Sequence, residues 1–110
     1  MPFRFESLEI WHMARGYSRT VYCATAKFPR HEDYGLRSQM NRAVNSIGLN
    51  IAEGSAKGSS KAFDYHLEVA AASFLAADNA YISSEEHKEL YAEGQKLARS
   101  INAFRNTLLQ

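Results

Sequence analysis

The 110-residue chain has one cysteine, two prolines and six glycines, and no long apolar run. A lone Cys23 excludes an internal disulfide framework and suits a reducing cytoplasm. The shortage of Pro and Gly argues against many short strands joined by tight turns. No stretch reaches the ~18 to 20 apolar residues that a bilayer-crossing helix needs, and the first residues lack a basic-then-apolar secretion signal. What is present is ample core material: hydrophobic residues make up 45% of the chain and aromatics 12%. That composition excludes a disordered or collagen-like polymer and leaves a single cytoplasmic domain over residues 1–110, with no role for a membrane.

The formal net charge of +1 conceals an asymmetry. Residues 1–62 carry nine Lys or Arg against five Asp or Glu, and residues 63–110 carry four against seven. A basic front half and an acidic back half can neutralise each other within or between subunits, or the front half can offer a surface to phosphates.

Apolar spacing predicts four helices, at about residues 6–28, 33–54, 60–80 and 84–109. The first stripe is Ile10, Ala14, Tyr17, Val21, Ala24 and Phe28, and the second is Leu36, Met40, Ala43, Ile47 and Ile51, widened by Val44. The third is read as Phe63, Leu67, Ala70, Phe74, Ala77 and Tyr81, and the fourth as Leu90, Gly94, Leu97, Ile101, Phe104 and Leu108. Steps alternating between three and four put each set on one helical face. Four such faces joined by short connections predict an all-α, up-down-up-down antiparallel four-helix bundle, its third helix shorter than its fourth. The punctuation agrees. Phe28-Pro29 ends the first helix, Glu32 and Asp33 suit the start of the second, and Gly54 ends it. Ser59 or Ser60 is expected to cap the third, and Ser83 with Glu86 forms a capping box for the fourth. A second apolar line on the first helix, Leu8, Trp11, Tyr22 and Thr25, reads either as a subunit interface or as the edge of a wide core.

Reaction chemistry is sparse. Glu9-Ile10-Trp11-His12 has the Glu-x-x-His spacing of di-iron bundles, but one copy cannot supply ligands from four helices, and the heptad turns both residues to solvent. His31, His66 and His87 lack metal-ligand spacing and read as surface or partly packed residues. The segment from Gly54 to Lys61 has three residues between its first two glycines where a phosphate loop needs four, and it follows no strand. It reads as an interhelical turn, or as a flexible basic loop holding one backbone phosphate. Cys23, between Arg19 and Lys27, has no histidine nearby in sequence and reads as a small helix residue. Glu85-Glu86 and Glu89-Glu93 fit the solvated first turns of the fourth helix. No catalytic residue, metal ligand or cofactor is assigned, and a non-enzymatic protein is expected. The second helix carries Asn41, Asn45 and Asn50, which are poor helix formers; they point to polar contacts between helices or to a surface for nucleic acid.

Several blocks together resemble a known family. They are Phe5-Glu6-Ser7-Leu8-Glu9-Ile10-Trp11, Lys27-Phe28-Pro29, Tyr34-Gly35-Leu36 with Ser38-Gln39, Arg42-Ala43 with Ser46-Ile47, Asn50-Ile51-Ala52-Glu53-Gly54, and Ser60-Lys61 with Phe63. The chain resembles, over nearly its whole length, the bacterial four-helix-bundle proteins encoded in intervening sequences of 23S ribosomal RNA genes, with Asn50 to Gly54 the most specific block. It departs from the family in lacking about seven residues between Ser73 and Phe74, roughly 10 Å of helix. The resemblance implies a ring-shaped homo-oligomer, most often a pentamer. It is also similar to a related branch, the accessory protein of diversity-generating retroelements, which binds nucleic acid and a reverse transcriptase. No catalytic residues come with either.

The resulting expectation is an oligomeric bundle that binds structured nucleic acid, RNA ahead of DNA, by phosphate contacts from Arg15, Arg19, Arg37, Arg42, Lys57 and Lys61. Subunits would meet through Leu8, Trp11 and Tyr22. The alternative is a protein-interaction scaffold for a polymerase or a reverse transcriptase-like partner.

Overall fold

Three of the four long helices begin where a side chain accepts from a backbone amide of the first turn. In the computed structural model, which describes residues 3–109, α1 spans Glu9–Thr25, α2 Leu36–Glu53, α3 Ala56–Asp78 and α4 Ser84–Leu108, with short 3-10 turns at Arg4–Ser7 and Arg30–Glu32. The Glu32 carboxylate accepts from the Leu36 amide at 3.0 Å and so caps α2 from a turn upstream. It also accepts from the Tyr81 hydroxyl at 2.8 Å, tying together the two connections at that end of the bundle. The Leu36 amide, followed by the Tyr81 hydroxyl, holds this carboxyl below the usual glutamate range. Gly54 closes α2 at φ +71°, the left-handed conformation that glycine reaches without strain. Ser83 and Glu86 form the capping box of α4.

The cap of α3 corrects the sequence reading. Ser55 is the N-cap, its hydroxyl accepting from the Gly58 amide at 2.9 Å, and both Ser59 and Ser60 lie inside the helix. The expected basic loop is therefore helix from Ala56 onward, and only Gly54 and Ser55 separate α2 from α3. The earlier start also makes α3 23 residues long against 25 for α4. Arg105, in the last turn of α4, donates to Ser60 at 3.3 Å, so the two helices run together almost to their ends.

Cross-helix pairs establish the antiparallel order. Thr25 and Tyr22 of α1 bond Asn41 and Asn45 of α2, at 2.9 and 2.7 Å. Along α1 and α4, Thr20 donates to Glu93 at 3.0 Å and Lys27, just beyond α1, pairs with Glu86. Two of the three asparagines on α2 thus join it to α1, and Asn50 instead donates to the Ser46 carbonyl of its own helix.

The predicted apolar stripes of α1 and α2 are buried throughout, as are Leu90, Gly94, Leu97 and Ile101 of α4. The stripe of α3 is different. Its core face is Ala62, His66, Val69, Ser73 and Ala76, again at steps of four and three. Phe63, Ala77 and Tyr81 pack at the core's edge, whereas Leu67 and Phe74 are half exposed. The start of α3 lies close against α2: a Cβ at Gly58 would lie 2.5 Å from the Asn50 carbonyl oxygen.

His66 is consequently a core residue, 6% exposed, and its Nδ1 has no hydrogen-bond partner. Its Nε2 and the Tyr17 hydroxyl both close on Gly94, where a Cβ would sit 3.2 and 2.8 Å away respectively. Burial lowers the imidazole pKa, and burial followed by the charge of Glu93 raises that of the Tyr17 phenol. A histidine with a depressed folded pKa binds fewer protons folded than unfolded, so its stabilising effect is complete above about pH 6.5 and is lost as pH falls below it. The thermal midpoint is expected to drop between about pH 7.5 and about pH 5.5, and His66→Leu should remove part of that drop. An identical pH slope in both proteins would exclude His66 as the group responsible.

Candidate nucleic-acid interface

On α1, Trp11, Arg15, Ser18 and Tyr22 recur at steps of four, three and four, which places them on the flank beside α2. On α2, Arg42, Asn45 and Leu49 share one outward face by the same spacing. Between these flanks runs an open groove of about 570 Å³. Trp11, Ala14, Arg15, Ser18 and Arg19 line one wall, and Val44, Asn45, Gly48 and Leu49 line the other. No carboxylate or histidine belongs to the lining. Arg15 and Arg19 are exposed, and among the described residues neither has an acidic partner within ion-pair distance. The Arg15 and Arg19 side chains, the Arg19 guanidinium reaching back toward Gly16, stand beside an amide and an apolar floor and make a surface that attracts an anion carrying an apolar or aromatic body.

The six cations named from the sequence do not form one patch. Arg42 is exposed one turn along α2 from Asn45, and it shares a hollow toward α3 with Tyr34, Gln39 and Glu68. Lys57 and Lys61 are exposed on the first turns of α3. Arg37 is half-buried and already engaged: its Nε lies 3.1 Å from Asp33 and its guanidinium donates to the Phe28 carbonyl. It therefore pins the α1–α2 connection and offers less to a ligand than its neighbours do.

The subunit-interface residues divide as well. Leu8 and Trp11 are half-buried and pack against this chain's own core, Trp11 also meeting Phe5 edge-on with ring centroids 4.7 Å apart. Tyr22 is 42% exposed and accepts from Asn45. Another apolar surface lies on the other side of the molecule, where Leu67, Phe74 and Leu75 of α3 and Tyr91 of α4 are all exposed and Phe74 packs against both His87 and Tyr91. Sequence reading missed this surface by taking Leu67 and Phe74 as core. The detectable signal was a second stripe at the same spacing one position earlier on the same helix, Ala62, His66, Val69, Ser73 and Ala76. Leu49, 71% exposed at the groove, was likewise unassigned.

Glu53 accepts from the Ser55 hydroxyl at 2.8 Å, so the Asn50–Gly54 block ends α2 and leads directly into the cap of α3, with Ile51 fully buried and Ala52 half-buried. Glu9 and His12 are exposed, His12 Nε2 lying 2.7 Å from the Glu6 carbonyl oxygen, and among the described residues no group of three His, Cys, Asp or Glu could hold a metal ion. Among the described residues no helix is long and apolar enough to cross a membrane.

These features define an all-helical four-helix bundle with a cationic groove between its first two helices. The chain belongs to the 23S rRNA-intervening sequence protein family, whose model matches residues 6–103. No curated protein matches it.

Proposed function

We propose that this protein is a non-enzymatic, cytoplasmic, homo-oligomeric bundle that binds structured nucleic acid, RNA ahead of DNA, through phosphate contacts on the α1–α2 face. The observation that carries this reading is the pairing of Arg15 and Arg19, exposed and without acidic partners, beside a groove free of carboxylates. Arg42 adds a further exposed cation on α2, one turn from Asn45 and turned toward α3. Binding of this kind is dominated by counterion release. Fluorescence anisotropy with labelled structured RNA and matched DNA should show affinity that falls steeply between low and physiological salt, with RNA the tighter ligand. No binding at low salt would refute the reading.

Self-association is best supported by the exposed α3–α4 face, where half-exposed Phe74 neighbours Leu67, Leu75 and Tyr91. Phe74→Glu should shift the assembly toward a 12.4 kDa monomer in light scattering without unfolding the chain. An unchanged assembly would place the subunit contact elsewhere. The same apolar face supports a second reading, a scaffold for a polymerase or reverse transcriptase-like partner. Recovery of a defined partner after nuclease treatment, lost in Phe74→Glu, would favour it.

A further inference from the structure

We infer that the α1–α2 groove receives an unpaired nucleotide, its phosphate against Arg15 and Arg19 and its base against Trp11 and Leu49. This rests on the nucleic-acid reading above and specifies which part of the polymer is held. Contact with a duplex backbone alone requires cations on a surface; it has no use for an apolar floor beneath them. Here the floor is built. Trp11 is half-buried and seats its indole against α2 at Gly48, where a Cβ would lie 3.5 Å from the indole Cζ3, so the ring forms a fixed apolar part of the groove lining. Leu49 stands 71% exposed at the opposite edge. Trp11 is also steadied from behind by its edge-on contact with Phe5, which lowers the entropy lost when a ligand packs on it. The volume of about 570 Å³ suits a small organic group. An anion with a planar apolar body, displayed by a structured nucleic acid, is a nucleotide in a loop, bulge or end, where the base is free to leave the stack.

Trp11 is the only tryptophan in the chain, so its emission reports on the groove directly. The full-length protein is titrated with an RNA hairpin bearing an unpaired loop and with a blunt duplex RNA of equal phosphate number, following both anisotropy and Trp11 emission. The hairpin is expected to quench Trp11 and to bind about fivefold to about a hundredfold more tightly than the duplex, the range that base stacking supplies. Leu49→Ser, which adds no charge beside Arg15 and Arg19, should reduce that preference, and the position is exposed enough to leave folding intact. Equal affinities with unmoved emission would overturn the inference and leave the phosphate reading standing. Absence of binding to either RNA would remove both. A change in Trp11 emission on dilution without RNA would show a second copy of the chain in the groove, which also overturns the inference.

Discussion

Gly58→Ala is expected to lower the free energy of unfolding by about 2 to 3 kcal/mol, although alanine is the better helix former. The added methyl carbon would lie 2.5 Å from the backbone oxygen of Asn50 and 3.2 Å from the Glu53 Cβ. A flexible side chain could swing aside, but a backbone carbonyl in the last turns of α2 cannot move without opening the α2–α3 crossing. That contact sets how closely the start of α3 stands against α2, and moving the helices apart there would open voids around buried Ser59 and Ala62. Gly16→Ala is the control. Its Cβ would meet only the far end of the Arg19 side chain, at 3.9 Å, so the substitution should stabilise α1 by about 0.5 to 1 kcal/mol. Denaturant unfolding of the two variants checks both signs, and equal effects would mean that the crossing is not tightly packed.

The double reversal Arg15→Glu with Arg19→Glu should weaken nucleic-acid binding roughly hundredfold at low salt, taking each charged contact as worth about 1.5 kcal/mol. Both side chains are exposed, and neither joins an ion pair among the described residues, so folding has little to lose. The loss should be uniform across sequences and should flatten the salt dependence, because phosphate contacts carry no base information. Arg37→Gln should act in the opposite manner, costing stability through its lost contacts to Asp33 and Phe28 while changing affinity little. Anisotropy beside thermal unfolding separates the two effects. Full affinity in the double variant would remove the α1–α2 face from the interface.

Where size and periodicity agreed, the chain's architecture could be read directly. Ile10 to Phe28 and Leu36 to Ile51 combine large apolar side chains with heptad spacing, and every member is buried. Ser83 with Glu86 was legible for a similar reason, since a capping box is a local contest between neighbouring groups. Helix three set the two signals against each other. Phe63, Leu67 and Phe74 form the bulkier apolar stripe, yet the face with Ala62, His66, Val69, Ser73 and Ala76 went inside, where α3 packs against its neighbours. The distance between helices is a property of two segments at once and appears in neither alone. The grouping of the cations follows the same logic. Arg15, Arg19, Arg37 and Arg42 look alike along the chain. Whether a guanidinium is spent on a nearby carboxylate and carbonyl, as in Arg37, or stands beside an open groove, as in Arg15, depends on which helix flank it occupies once α1 and α2 have packed.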